Sequence, residues 1–153
     1  MSAETTTKTF REIIGKPSAA AQAMVDGLRR HSQRPDFRIS MTTFGFSCGE
    51  VCFGCAATCA TQEAAQVNYD TISINYTGAR AVVCGVSESD LWKFEGAINS
   101  FRTGFTFSLL AYFGLSHMYR EGFNERFKLQ SSDWKNQLEA VEILIAEWRE
   151  LGI

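Results

Sequence analysis

Four of the five cysteines in this chain, Cys48, Cys52, Cys55 and Cys59, fall within twelve residues, Cys48-Gly-Glu-Val-Cys-Phe-Gly-Cys-Ala-Ala-Thr-Cys59. Their spacing is i, i+4, i+7, i+11, which on a helix places all four thiols within an arc of about 60°. The first and last sulfurs of such a row are roughly 16 Å apart, too far to share one tetrahedral ion held by bonds of about 2.3 Å. The spacing therefore predicts a stripe of thiols and excludes a four-cysteine zinc cage on that helix.

The rest of the segment favours burial. Phe46, Phe53, Ala57 and Ala64 fall on the face opposite the thiols, and Glu50 is the single charged side chain between Thr42 and Gln62. A helix that is apolar or small on every side belongs inside a protein. Unperturbed thiols pack as small hydrophobes, and Gly49, Gly54, Ala56 and Ala60 let neighbouring helices come close. The expected fold is all-α: a compact single-domain helical bundle with a buried central cysteine and glycine-rich helix. A mainly α fold with a small β-hairpin near residues 71–84 is the alternative.

As a loop, the same segment takes on a different meaning. Cys48-x3-Cys52-x2-Cys55 resembles the iron–sulfur motif of radical S-adenosylmethionine enzymes, in which three thiolates hold a cluster. That resemblance implies a paired-glycine segment and regular strand–helix alternation. No two glycines are adjacent in the chain, and no such alternation follows the cysteines. A second local resemblance lies at Arg80 to Phe94, where Ala81, Gly85, Val86, Leu91 and Phe94 stand as in the core of a helix-turn-helix. Glu88, Asp90 and Glu95 would give its recognition helix an acidic face that repels phosphates.

At 153 residues, 45% hydrophobic and 21% charged, the chain is read as one domain, 1–153, with enough apolar content for a substantial core. A net charge of −2 provides no electrostatic reason to expect nucleic acid or a membrane surface as partner. Residues 41–61 are about as long as a bilayer span, but Glu50 near the middle is costly to insert. An odd number of cysteines stacked on one stripe suits a reducing compartment better than a disulfide framework, and the polar start of the chain lacks a signal-peptide layout. The expectation is cytoplasmic.

Outside the cysteine run the punctuation is helical. Helices are expected from Thr9 to Ile14 and from Ser18 to His31, with Pro17 at a first position. Phe37 to Thr43 reads as a short strand or extended lead. Gly85 looks like a helix C-terminal residue, and Ser87 with Asp90 three positions on looks like a cap, so 78–84 and 88–102 are read as two helices. A further apolar helix is expected from Phe105 to Met118. The last helix, capped by Ser132 and running through Leu151, carries Trp134, Leu138, Val141, Ile145 and Trp148 on one face.

No phosphate loop, nucleophile elbow or paired His–carboxylate signature appears, and His31 and His117 are the only histidines. No catalytic residue, cofactor or metal is assigned, and the balance is against an enzyme. The favoured function is a small intracellular interaction or regulatory protein, with a protein partner or self-association and with Arg120, Phe123 and Arg126 as candidate surface anchors. A module or enzyme for a hydrophobic small molecule, in a pocket among aromatic-rich helices, is the second class. The third is a thiol-based metal or redox protein, in which Cys48, Cys52, Cys55 and Cys59 would be the ligand-facing or reactive groups. Against it, no positive charge lies near the cysteines in the sequence to lower a thiol pKa.

Overall fold

Several helix ends are set by residues a few positions apart in the sequence. In the computed structural model, which describes residues 8–39, 46–72, 76–99, 104–120 and 134–153 (71, 104–105 and 134–137 by backbone alone), the Thr9 hydroxyl accepts from the Glu12 N–H at 3.1 Å. The Glu12 carboxylate accepts from the Thr9 N–H at 3.3 Å, completing a capping box that starts α1 (Phe10–Ile14). Pro17 opens α2 (Pro17–Ser32), where its missing N–H costs nothing. Helix α4 (Thr77–Cys84) ends on Gly85 at φ +73°, and Ser87 caps α5 (Glu88–Ile98) by accepting from the Asp90 N–H at 3.1 Å.

The apolar run that begins at Phe105 does not make one helix. Helix α6 (Gly104–Tyr112) stops at Gly114, φ +73°, and the chain resumes as a 3₁₀ turn at Ser116–Met118. The N–H of Leu115 reaches back to the Leu110 carbonyl at 2.8 Å, closing the end of the helix on itself. The last helix is α7 (Trp134–Glu150). Leu138, Val141, Ile145 and Trp148 are buried on one face, as the periodicity predicts, with Leu144 added; the side chain of the expected Trp134 lies outside the described residues. Ser132, Phe101 and the end of the expected strand lead, residues 40–43, lie outside the described residues.

The protein is mostly helical with a small three-stranded sheet. Helix α2 packs against α3 (Ala56–Ala65), α7 and the sheet. It approaches α3 closely because Gly27 has no side chain: a Cβ there would lie 2.3 Å from the Cys59 carbonyl oxygen. From Ala56 to Gln62 every residue of α3 is buried.

The cysteine segment corrects the central expectation. It is not one helix from Phe46 to Ala60. Strands β2 (Phe46–Cys48) and β3 (Cys52–Gly54) form an antiparallel hairpin, β1 (Phe37–Ile39) joins β3 in parallel, and only from Ala56 does the chain become helical, with Cys55 as the cap residue. Burial alternates along β3, where Cys52 and Gly54 are buried and Phe53 is exposed, while in β2 only Phe46 is buried. Alternation of this kind is the signature of a half-buried strand, and the abundance of small apolar residues in the segment concealed it. The alternative hairpin near 71–84 is also displaced, since Thr77–Cys84 is helix α4 and the hairpin lies some twenty-five residues earlier. Among the described residues no helix is long and apolar enough to cross a membrane.

Candidate functional site

The hairpin brings Cys48 opposite Cys52, with their Cα atoms 4.0 Å apart, and the two are joined as a disulfide. Gly49, Glu50 and Val51 make the connection, and the Gly49 N–H donates to the Val51 carbonyl at 3.2 Å. The strand on the other side is held in place by the Cys52 N–H, which donates to the Asp36 carbonyl at 2.7 Å. This pairing overturns the expectation that the cysteines stand as free thiols along one helix face. Cys55, Cys59 and Cys84 are free and buried. Burial pushes the Cys59 thiol well above its ordinary range and raises Cys84 to about 11, so neither is a ready nucleophile.

Two charged residues from distant parts of the sequence meet the disulfide. Arg34 lies in the turn after α2, where its N–H donates to the His31 carbonyl at 3.0 Å, and its Nη2 points to Cys52 Sγ at 3.8 Å. Asp70 sits in a 3₁₀ turn (Tyr69–Thr71) with an oxygen 3.9 Å from Cys48 Sγ. That turn is anchored by Tyr69, a fully buried residue whose N–H donates to Gln62 Oε1 at 2.9 Å and whose hydroxyl lies 2.6 Å from Thr61 Oγ1 and 3.2 Å from Cys84 Sγ. Asn68 accepts from the Asp70 N–H at 2.9 Å, which completes the turn and leaves the Asp70 carboxylate at the surface.

Arg34 and Asp70 also bind each other. The guanidinium donates to both Asp70 oxygens and to both Asp36 oxygens, the latter at 3.0 and 3.1 Å. The hydrogen bond from Arg34 holds the Asp36 carboxyl below the usual carboxylate range. Under these charges lies an aromatic floor, in which Phe37 stacks on Phe46 at 5.7 Å and His31 lies 4.9 Å from Phe37. Arg34 also sits over the Phe37 ring at 5.5 Å. His31 is buried, and its pKa is lowered to about 4, first by burial and then by Arg30 and Arg34. A neutral imidazole can accept the Arg34 hydrogen bond at Nδ1, 3.2 Å away; an imidazolium cannot.

The structure thus separates the four cysteines singled out by the sequence. It joins exposed Cys48 to buried Cys52 and places Cys55 and Cys59 in the core. The positive charge missing near the cysteines in the sequence is supplied by Arg34 through the fold. Neither Arg34 nor Asp70 was singled out, and nothing in the spacing links position 34 or 70 to 48. Of the expected partner anchors, Arg120 is exposed, while Phe123 and Arg126 lie outside the described residues.

Two other features bear on the remaining function classes. A surface cleft of about 850 Å³ lies between α1, α5 and α6, with Ala97, Phe107 and Ala111 in its wall and Arg11, Glu12, Asp90 and Lys93 around it. At the corner of α4 and α5, Tyr76, Val82 and Trp92 are exposed. No protein-family model, curated protein or solved structure matches the chain. Fold and site together describe a small, mostly helical domain with a surface disulfide set between an arginine and an aspartate.

Proposed function

We propose that the protein is a thiol-based redox protein in which Cys48 and Cys52 cycle between disulfide and dithiol. The observation that carries this reading is the asymmetry of the pair: exposed Cys48 stands beside a carboxylate, and Cys52, 5% exposed, stands 3.8 Å from a guanidinium. Thiol–disulfide exchange is fastest when the sulfur attacked is accessible and the sulfur released is a stabilised thiolate. Here Cys48 is the accessible sulfur, and Arg34 stabilises negative charge on Cys52.

In the reducing direction, a thiolate of a dithiol reductant attacks Cys48 Sγ. The Cys48–Cys52 bond breaks, and its electron pair leaves on Cys52 Sγ beside Arg34. The reductant's second thiolate then attacks the mixed disulfide and releases Cys48. Two electrons have passed from the dithiol, which ends as a disulfide, and its two protons end on Cys48 and Cys52. The reverse sequence oxidises a substrate dithiol.

The ring closed by this disulfide is small, so by the chain-entropy relation the bond adds only about 2 kcal/mol to stability. A bond that contributes little to folding can break and re-form without loss of the domain. The test is thiol counting by mass after brief alkylation of the folded protein. The oxidised form is expected to take up no label; after treatment with a dithiol it takes up two, on Cys48 and Cys52. Cys55, Cys59 and Cys84 react only after denaturation. Labelling confined to those three, or a disulfide that resists dithiol until the protein unfolds, overturns the proposal.

A protein-partner role is a second reading, supported by the exposed Tyr76, Val82 and Trp92. It is tested by sedimentation of the wild type against Trp92→Ser. An unchanged, concentration-independent monomer in both argues against self-association through that corner.

A further inference from the structure

We infer that the reduced protein holds a thiophilic divalent cation, of which zinc is the type, through Cys48, Cys52 and Asp70. This rests on the proposed dithiol state, because a disulfide offers no thiolate. The Sγ atoms of Cys48 and Cys52 and a carboxylate oxygen of Asp70 all lie within 4.8 Å of one another. In a tetrahedral zinc site with bonds of about 2.3 Å to sulfur and 2.1 Å to oxygen, ligand atoms are roughly 3.6–3.8 Å apart. Cys48 Sγ and Asp70 Oδ1 already stand 3.9 Å apart. Breaking the disulfide frees the two sulfurs to separate to the remaining distance while the paired strands keep their backbones in place.

The surroundings fit such an ion in three ways. Once an ion displaces the protons of Cys48 and Cys52, the two thiolates with Asp70 and Asp36 carry four negative charges against one positive on Arg34, which offsets the charge of a dication. Arg34 donates to Asp70 and so orients the carboxylate, as outer-shell partners of metal ligands do. Cys48 and Asp70 are both at the surface, which leaves a fourth position to water and an open path of entry. The site uses half of the cysteine row with an acid from elsewhere, and it excludes Cys55, which is buried and directed to Asn99, whose side-chain nitrogen lies 3.5 Å from its sulfur.

The experiment reduces the folded protein with a water-soluble phosphine, removes the reductant without oxygen, and titrates first with Co²⁺ and then with Zn²⁺ against a chromophoric chelator. One metal per chain with thiolate-to-cobalt charge-transfer absorption is expected for the reduced protein, and no uptake for the oxidised one. Cys48→Ser is expected to abolish the absorption, Cys55→Ser to leave it unchanged, and Asp70→Asn to weaken zinc binding about tenfold or more. Two accessible thiols with no metal uptake overturn the metal site and leave the dithiol reading standing. No accessible thiols after phosphine overturn both. Unchanged affinity in Asp70→Asn, or loss of the absorption in Cys55→Ser, overturns the ligand set.

Discussion

The Arg80 guanidinium donates to the Glu95 carboxylate at 2.9 Å, with 3% and 0% of the two side chains exposed, and so ties α4 to α5 across the turn at Gly85. Burial pushes the Glu95 carboxyl above its usual range, and the arginine holds part of that shift back. Such a pair is weak evidence of net stabilisation, but breaking it leaves a buried charge alone. Glu95→Leu and Arg80→Met are each expected to cost about 3–5 kcal/mol in denaturant unfolding, and the double variant far less than their sum. Additive costs would show that the two charges do not depend on each other.

Gly27 sets the distance between α2 and α3. A methyl group there would meet the backbone of Cys59, which cannot rotate away as a side-chain tip can. Gly27→Ala is expected to destabilise by about 1–3 kcal/mol despite the better helix propensity of alanine. Gly49, with nothing within 4 Å of its would-be Cβ, serves as the control, and Gly49→Ala is expected to unfold at nearly the wild-type denaturant concentration.

His31 makes the domain acid-sensitive. Its folded pKa of about 4 lies below the unfolded value of 6.5, so between those limits the unfolded chain binds more protons. Stability is therefore full above about pH 6.5 and is lost as pH falls towards 4, by up to about 3 kcal/mol from this group. His31→Phe keeps an aromatic ring against Phe37 and Phe46 and is expected to flatten that slope. An equal slope in the variant would assign the acid sensitivity to other groups.

Arg34 is expected to control the rate at which the disulfide opens. Removing its charge makes Cys52 a poorer leaving group, so Arg34→Met is expected to slow reduction by a dithiol about 3- to 10-fold, with Arg34→Lys recovering part of the rate. Stopped-flow measurement under excess reductant reads this directly. A rate unchanged in Arg34→Met would remove Arg34 from the chemistry.

The disulfide itself is expected to matter little to folding. Cys48→Ser with Cys52→Ser should lower stability by about 2 kcal/mol or less, measured in the absence of reductant. A loss of 4 kcal/mol or more would make the bond a structural staple.

Helix ends were legible because the groups that decide them are sequence neighbours: Thr9 with Glu12, Ser87 with Asp90, and Gly85 alone. The apolar face of α7 was legible for the same reason, periodicity along one element. The apolar run after Phe105 was overread, since Gly114 breaks it and a glycine inside a hydrophobic stretch does not announce its φ. The cysteine segment was misread because Cys, Gly, Ala and Phe at mixed spacing satisfy a helical stripe and a half-buried hairpin about equally. Pairing partners decided between them, and a strand's partner is not encoded in its own residues.

The sequence by itself determined that this is a mostly helical protein with named caps and an amphipathic last helix. Only the tertiary structure decided that exposed Cys48 pairs with buried Cys52 and that Cys55 and Cys59 stay free in the core. It also brought in Arg34 from the turn after α2 and Asp70 from the turn anchored by Tyr69. Caps and periodicities are set by contacts a few residues apart, whereas a thiol's reactivity is set by burial and by charges within a few ångströms, which depend on the fold rather than on spacing along the chain.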